Sequence, residues 1–346
     1  MFVLMCFYAR YHRAFSGFCI WKSLPGRAGG GGHDGRMSLP DRPVETDAAP
    51  PLASACVVVL RDGPQGLQTL LARRHSETAD LGGACVFPGG KVDAADRSDE
   101  ALACLDEGAQ GGQPHLAARL ADPDLPASEA AALHLAAARE ALEEAGLLYA
   151  RPDCAAGIAA DFMSVMNDLR QGAPFAVALA ARGLRLHWQA LHPWARWITP
   201  EQTVLRMRRF DTRFFLAELP AGQTPAPDGR EAVELLWRTP RQALAQYAEG
   251  RITLAPPQIM SLLHLARHAS AASALAQARL CPPPCICPQV LRQAEGVAFV
   301  YPGDAQYRDD REYRAGAGLP PGLPTRLEQQ GALFVPPGGF EQWLMA

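Results

Sequence analysis

Two short apolar stretches separated by turn residues dominate the first part of the hydrophobic pattern. Residues 53–60 and 67–72 are largely apolar, whereas residues 61–66 are rich in Asp, Gly and Pro. This alternation predicts a β-hairpin. A third short strand is predicted at residues 84–87, where a Pro-Gly-Gly turn ends it.

Residues 128–145 give the clearest helical pattern of the chain. Alanine dominates this stretch and favours a helix. Ser128 is a suitable N-cap, and Gly146 stands where a left-handed residue ends a helix. We therefore predict one long helix that ends at Gly146.

Two segments have the composition of insertions. Residues 93–127 are rich in Asp, Ala, Gly and Pro, which predicts an inserted helical segment outside the core. Residues 161–191 predict a helical cap or side wall with a break at Gly183. Its apolar positions are Phe175, Leu179, Leu184 and Leu186.

The later part of the chain adds strands, helices and a tail. Apolar runs predict strands at residues 195–198 and 212–219. Helical patterns follow at residues 240–247 and 257–268. Residues 281–346 predict a loop-rich C-terminal tail. The pattern as a whole is α+β, with one domain at about residues 50–270.

Composition excludes some classes of partner. The chain has 346 residues, a formal net charge of -3 and 48% hydrophobic residues, which is ordinary for a globular protein. A nucleic-acid partner is not expected, because a phosphate-backbone binder needs a basic excess. Composition does not exclude short anionic ligands.

The first residues and the cysteines bear on location. Residues 1–36 carry a basic, Gly-rich sequence that we interpret as a disordered extension or a misplaced start. Their apolar stretch is too short to span a bilayer, so no membrane association is expected. The nine cysteines are mostly scattered singly, which favours a reducing, cytoplasmic location.

Three glutamates share one face of the predicted helix. At about 100° per residue, Glu140, Glu143 and Glu144 return to nearly the same side. Three like charges are costly together unless a cation lies among them, and their oxygen atoms suit Mg²⁺ or Mn²⁺. The apolar residues that would press the opposite side onto a sheet are Leu135, Ala138 and Leu142.

Two separated motifs together resemble the Nudix hydrolase family. The first is Phe87-Pro88-Gly89-Gly90 after a strand. The second is Arg139-Glu140-x-x-Glu143-Glu144-x-Gly146. The resemblance implies an α/β/α sandwich, that is, a mixed β-sheet between helices, with helical insertions. It also implies cleavage of a diphosphate linkage.

The box departs from the plain family pattern because residues 93–127 interrupt it. In the family pattern, the first acidic residue lies six positions after the glycine and eight positions before the arginine. The first spacing, counted from Gly90, leads to Asp96, and the second, counted back from Arg139, leads to Ala131. An insertion at this place resembles the coenzyme A diphosphatase branch typified by the peroxisomal enzyme. That branch implies coenzyme A or acyl-coenzyme A as substrate.

The resemblance implies roles for individual residues. Glu140, Glu143 and Glu144 would ligate Mg²⁺ or Mn²⁺, and Arg139 would fix their geometry. Glu143 is the first choice of general base, and Glu231, in a predicted loop before Trp237, is the second, with Glu234 beside it. Phosphates need positive donors near strand ends. The predicted substrate-binding residues are Arg74, Arg209, Gly89 and Gly90.

Two alternatives stay open. The substrate could be NADH, ADP-ribose or another nucleoside diphosphate derivative. The fold could also serve as a non-catalytic ligand-binding module, although such a module has no need of three clustered carboxylates. The sequence does not predict an oligomeric state.

Overall fold

A computed structural model of the chain describes residues 50–77, 81–105, 112–153, 162–200, 208–308 and 318–344. The predicted extension at residues 1–36 lies outside this part of the chain. Among the described residues, no helix is long and apolar enough to cross a membrane.

A mixed sheet forms the centre of the molecule. Its hairpin consists of β1 (Leu52–Gly63) and β2 (Gly66–Arg74), as the turn pattern predicted. β8 (Phe210–Glu218) lies parallel to β1, so parallel and antiparallel pairs coexist. In the described residues the sheet has eight strands, and the others are β3 (Cys85–Val86), β4 (Gly89–Lys91), β7 (His192–Ile198), β9 (Ala232–Arg238) and β10 (Cys285–Ile286).

Helices cover both faces of this sheet. Side chains of β1 alternate between two cores, as the two-residue period of a strand requires. Val57 and Val59 pack with the long helix α3 (Ala127–Ala145). Val58 and Leu60 pack on the other face with the two helices α6 (Pro240–Ala248) and α7 (Pro256–Leu265). The predicted sandwich with a mixed sheet is confirmed.

The first insertion belongs to the core, which corrects the expectation that it lies outside. It forms a 3-10 turn (Ala95–Arg97) and the helices α1 (Asp99–Ala103) and α2 (Gly112–Arg119). Ala101, Leu116 and Leu120 are buried in the same core as α3. Burial of these apolar groups stabilises the contact between the segment and the helix. The Asp- and Pro-rich composition of the segment gave no indication of this burial.

The second insertion is only partly helical. It forms α4 (Phe162–Arg170) and α5 (Phe175–Ala180). The helical prediction is wrong for Leu184 and Leu186, because β6 (Leu184–Leu186) pairs with β5 (Ala150–Pro152). Gly183, at φ +60°, allows the chain to reverse before the strand.

The C-terminal tail contains a sheet that the sequence did not predict. Two further helices, α8 (Ala271–Leu280) and α9 (Phe340–Leu344), flank this region. The tail's four antiparallel strands, named here the C-terminal sheet, are β11 (Gln289–Arg292), β12 (Val297–Val300), β13 (Arg326–Gln330) and β14 (Leu333–Val335). Val297, Leu327 and Phe334 share a core with α6 and α7. The backbone N–H of Phe334 donates to the Tyr247 hydroxyl at 2.7 Å, which ties the sheet to α6.

Candidate active site

The glutamates project from the last turns of α3. This helix begins at Ala127 after Pro126, so Ser128 lies in its first turn and the prediction of Ser128 as N-cap is wrong. The helix ends at Gly146, which adopts the predicted left-handed conformation at φ 65°. Leu135, Ala138 and Leu142 are buried against the sheet, so the opposite face is directed away from that core.

Arg139 lies at the centre of the carboxylates. Its Nη1 donates to Glu140 at 2.8 Å and to Glu143 at 2.9 Å. Its Nε and Nη2 donate to the two oxygens of Asp96 at 3.1 and 2.9 Å. Its Nη2 also donates to the Lys91 carbonyl at 2.8 Å. One guanidinium therefore orients two glutamates and ties α3 to the loop after β4.

Asp96 resolves the ambiguity in the interrupted motif. Counting forward from Gly90 leads to this residue, and its side chain is 4% exposed in a two-bond pair with Arg139. Ala131, the other possibility, is buried in the helix core and has no polar side chain. Asp96 therefore fits the motif position, and the first turn of the insertion at residues 93–127 supplies the partner that holds Arg139.

The two glycines after β3 allow the backbone to approach the carboxylates. The Gly89 N–H donates to Glu144 at 3.0 Å. A Cβ atom on Gly90 would lie 2.3 Å from an oxygen of Glu140, and one on Gly89 would lie 2.3 Å from the Cβ of Cys56. Any larger residue at either position would displace a neighbouring side chain or the strand. The structure thus brings both predicted glycines to the glutamates.

Burial and mutual repulsion disfavour the charged forms of these acids. Burial raises the pKa of Glu140 to about 7, against the favourable charge of Arg139. Burial, followed by the charge of Glu140, raises the pKa of Glu144 to about 8. The pKa of Glu143 is also raised, because the effect of burial outweighs the opposing effect of Arg139. Burial is the largest cause in all three cases, and a nearby positive charge would favour the ionised forms.

Arg74 and Glu231 lie at the edge of this cluster. Nη2 of Arg74 is 3.9 Å from Glu231, and Nε of Arg74 is buried without a hydrogen-bond partner. Arg74 lowers the pKa of Glu144, and Glu231 raises the pKa values of Glu140 and Glu144. These smaller effects indicate that both residues lie near the glutamates, at the end of β2.

The prediction of a loop before Trp237 is partly wrong. Glu234 and Trp237 lie in β9, and Glu234 pairs with Arg73 at 2.8 Å across the strands. Glu231 precedes the strand, and its carbonyl accepts from the His75 N–H. The Pro- and Gly-rich context hid this short strand, since its apolar residues do not alternate regularly.

Arg209 is in a different environment. It is buried just before β8, and its Nε donates to the Thr199 carbonyl at 3.1 Å. This contact fixes the end of the strand pair and does not involve the glutamates. A role of Arg209 in substrate binding stays a prediction. Arg208, beside it, is exposed.

The donor set fits a hard divalent cation. Carboxylate oxygens are the ligands that Mg²⁺ and Mn²⁺ prefer. Burial and, to a smaller extent, neighbouring acids raise the pKa values of Glu140 and Glu144, and a cation bound beside them would oppose both effects. Among the described residues, however, no three His, Cys, Asp or Glu side chains already have the spacing of a metal site. Glu143, at 40% exposed, is the most accessible of the three to solvent.

The chain is similar to known proteins in sequence and in fold. The family described as NUDT19 Nudix domain matches residues 47–265. The Homo sapiens protein named acyl-coenzyme A diphosphatase NUDT19 is 31% identical over 72% of this chain and 74% of its own length. The Gallus gallus protein of that name is 29% identical over 72% and 75%. A solved NUDIX hydrolase from Alicyclobacillus acidocaldarius is 28% identical, with a TM-score of 0.50 over 66% of this chain and 96% of that one.

Proposed function

The chain belongs to the Nudix hydrolase family, in the group described as NUDT19 Nudix domain, and from this premise we propose that it hydrolyses the diphosphate linkage of coenzyme A or acyl-coenzyme A with Mg²⁺ or Mn²⁺. The products would be 3',5'-ADP and (acyl-)4'-phosphopantetheine. The observation that supports this most strongly is the face of α3, where Arg139 binds Glu140 and Glu143 and the Gly89 N–H donates to Glu144.

Glu140, Glu143 and Glu144 are the residues that would hold the metal ions. When bound, such ions neutralise the diphosphate and lower the pKa of water. Glu140 and Glu144 are largely buried, so they are held in place by packing as well as by hydrogen bonds. Preorganised ligands of this kind avoid a reorganisation cost during the reaction.

Glu143 is our first candidate for the general base. It is the most exposed of the three, and the 2.9 Å bond from Arg139 fixes its position. A carboxylate held in this way can accept a proton from the water that attacks phosphorus. The bond between that phosphorus and the bridging oxygen then breaks. Glu231, 63% exposed near the same acids, is the alternative base.

Arg139 is a positioning residue in this proposal. Its donors are directed to Asp96, Glu140, Glu143 and the Lys91 carbonyl, so it orients acids instead of facing a ligand. Arg74 is the stronger candidate for phosphate binding, because its Nε lacks a partner at the edge of the site. Gly89 and Gly90 would allow the substrate and the backbone to approach closely.

Product analysis tests the proposal. Purified protein is incubated with Mg²⁺ or Mn²⁺ and coenzyme A, acetyl-coenzyme A, NADH or ADP-ribose, and the products are separated by chromatography. We expect release of 3',5'-ADP from the two coenzyme A compounds by wild type. Glu143→Gln should lower kcat by about 10²–10⁴-fold if Glu143 is the base.

Other outcomes would overturn parts of the proposal. Cleavage of NADH or ADP-ribose alone would refute the substrate and retain the hydrolase. Turnover of none of the four compounds, with binding of coenzyme A by calorimetry, would favour a ligand-binding module.

A further inference from the structure

A large cavity lies between the main sheet and the C-terminal sheet. Its volume is about 1240 Å³. One wall comes from the ends of β2 and β3 and from the segment after α6, including Arg74 and Arg251. The other wall comes from the turns of the C-terminal sheet, including Arg292 and Leu333. Sites for drug-sized ligands measure roughly 300–1000 Å³, so this cavity can hold a larger molecule.

The charged residues of the cavity are mainly basic. Among the described lining residues are four arginines, Arg73, Arg74, Arg251 and Arg292, and one glutamate, Glu295. Arg73 pairs with Glu234 and Arg251 with Glu249, but neither acid is part of the lining. The cavity surface is thus suited to an anion. Apolar residues such as Val233 and Leu333 also line the cavity.

The cavity is adjacent to the glutamates. Arg74 lines it and also lies 3.9 Å from Glu231 at the edge of the active site. The N–H of Arg74 donates to the carbonyl of Ala84, another lining residue. Five residues further along the chain, Gly89 donates to Glu144. Arg74 therefore connects the cavity with the edge of the active site.

Arg292 is held in position by a tight turn. It is the last residue of β11, opposite Val297 of β12. The Gln293 N–H donates to the Gly296 carbonyl, and Gly296 adopts φ 82°, which favours glycine. The buried Val297 anchors this hairpin in the core shared with α6 and α7. The arginine therefore extends from a fixed base although its side chain is exposed.

We propose that this cavity binds the 3'-phosphoadenosine end of the substrate, and that Arg292 and Arg251 contact its 3'-phosphate. This inference rests on the proposed function. The arginines favour the nucleotide end over the pantetheine end, because the pantetheine arm is uncharged and would gain nothing from them. The apolar lining would cover the adenine. The C-terminal sheet, which lies beyond residues 47–265, then determines specificity.

Kinetics with coenzyme A and 3'-dephospho-coenzyme A test the inference. These substrates differ only in the phosphate that the two arginines would bind. For wild type we expect a lower KM for coenzyme A. In Arg292→Ala and in Arg251→Ala, the KM for 3'-dephospho-coenzyme A divided by the KM for coenzyme A should fall by about tenfold, since each variant loses one charge-assisted hydrogen bond to the 3'-phosphate. Both side chains are exposed, so the variants should fold.

Arg308→Ala is the matched control. Arg308 is an exposed arginine of the same C-terminal region, and its backbone bonds to Gln289, at the other end of β11. It should keep the wild-type ratio. A KM that rises equally for both substrates in Arg292→Ala would overturn the inference. So would a change that follows the length of the acyl chain, since the cavity would then hold the other end of the substrate.

A binding measurement separates this inference from the proposed function. Calorimetry with adenosine 3',5'-bisphosphate and with 5'-AMP requires no turnover. We expect wild type to prefer the bisphosphate and Arg292→Ala to lose that preference. Equal binding of both ligands by wild type overturns the inference even if coenzyme A is cleaved. Lack of coenzyme A cleavage by a protein that prefers the bisphosphate through Arg292 would refute the proposed function alone.

Discussion

Two clusters of charged side chains flank the first insertion, and they differ in charge balance. The carboxylate cluster consists of Arg139 with the acids Asp96, Glu140, Glu143 and Glu144. The balanced cluster consists of two arginines and two aspartates, namely Asp122, Arg196, Asp211 and Arg213. The insertion contributes Asp96 to the first and Asp122 to the second.

The contrast lies in whether the charges are matched within the cluster. In the balanced cluster, Asp122 accepts from Arg196 at 2.9 Å and from Arg213 at 2.6 Å, and Arg196 also binds Asp211 at 2.7 Å. The two signs of charge are therefore equal in number in this cluster, although burial lowers the pKa of Arg213 and its Nε is buried without a hydrogen-bond partner among the described residues. The carboxylate cluster has more acids than its arginine can neutralise, and the pKa of Glu144 rises to about 8. Protonation of a glutamate or binding of a cation would each relieve this excess of negative charge.

The largest expected effect comes from the carboxylate cluster. Glu144→Gln should lower kcat/KM by about a thousandfold, because a metal clamp contributes several kcal/mol. Its free energy of unfolding without metal should equal or exceed that of wild type, since an unfavourable buried charge is removed. Steady-state kinetics and urea denaturation measure the two effects. A large loss of stability would indicate that Glu144 has a structural role like that of Asp122.

The opposite result is expected for the balanced cluster. Arg213→Met should lower the free energy of unfolding by about 3–5 kcal/mol, because it leaves two aspartates with one arginine. The side chain of Arg213 is 4% exposed, so water cannot replace it fully. The kcat of the folded fraction should stay close to that of wild type. Urea denaturation with an activity assay checks this, and a lower kcat with unchanged stability would contradict the distinction.

A smaller effect should come from the residue that links the insertion to the glutamates. Arg139→Lys keeps the charge but cannot reach Asp96, Glu140 and Glu143 together. Activity should fall by about 10–100-fold, as for other groups that orient metal ligands. Arg97→Lys is the matched control, since Arg97 joins the insertion to Glu129 of α3 at the surface. Equal losses in both variants would refute the positioning role of Arg139.

The smallest expected effect concerns His134, which belongs to neither cluster but makes the stability of the protein sensitive to acid. Burial lowers the pKa of His134, on α3, from 6.5 to about 3. Below pH 6.5, His134 is protonated in the unfolded chain but stays neutral in the folded protein. The free energy of unfolding therefore falls as the pH falls below 6.5. From pH 7 to pH 5 this amounts to about 2 kcal/mol. His134→Leu should lose that much less stability over this range in urea titrations at both pH values. An unchanged pH dependence would show that His134 is protonated without unfolding.

Local patterns predicted much of this molecule. The hairpin, the helix and the shared face of the glutamates each depend on residues close in sequence, and all three were predicted correctly. Gly89 and Gly90 were found through their motif. Arg74 and Glu231 were selected by charge and position, and the structure brings both to the edge of the cluster.

Features that depend on distant contacts were missed. Asp96 could not be chosen over Ala131, because the insertion interrupts the count and only the pair with Arg139 decides it. The C-terminal sheet was predicted as loop, since β12 and β13 pair across a long Pro- and Gly-rich connection. The same is true of the core contacts of the insertion. Tertiary packing, rather than local propensity, stabilises these elements.

Binding of Mn²⁺ to the metal-free protein tests the central claim, that the excess of carboxylates on α3 is a metal site. Titration followed by electron paramagnetic resonance measures free Mn²⁺ directly. Wild type and Arg213→Met should bind Mn²⁺ alike, and Glu144→Gln should lose most of that binding. Equal binding by wild type and Glu144→Gln, or none by wild type, would contradict the account.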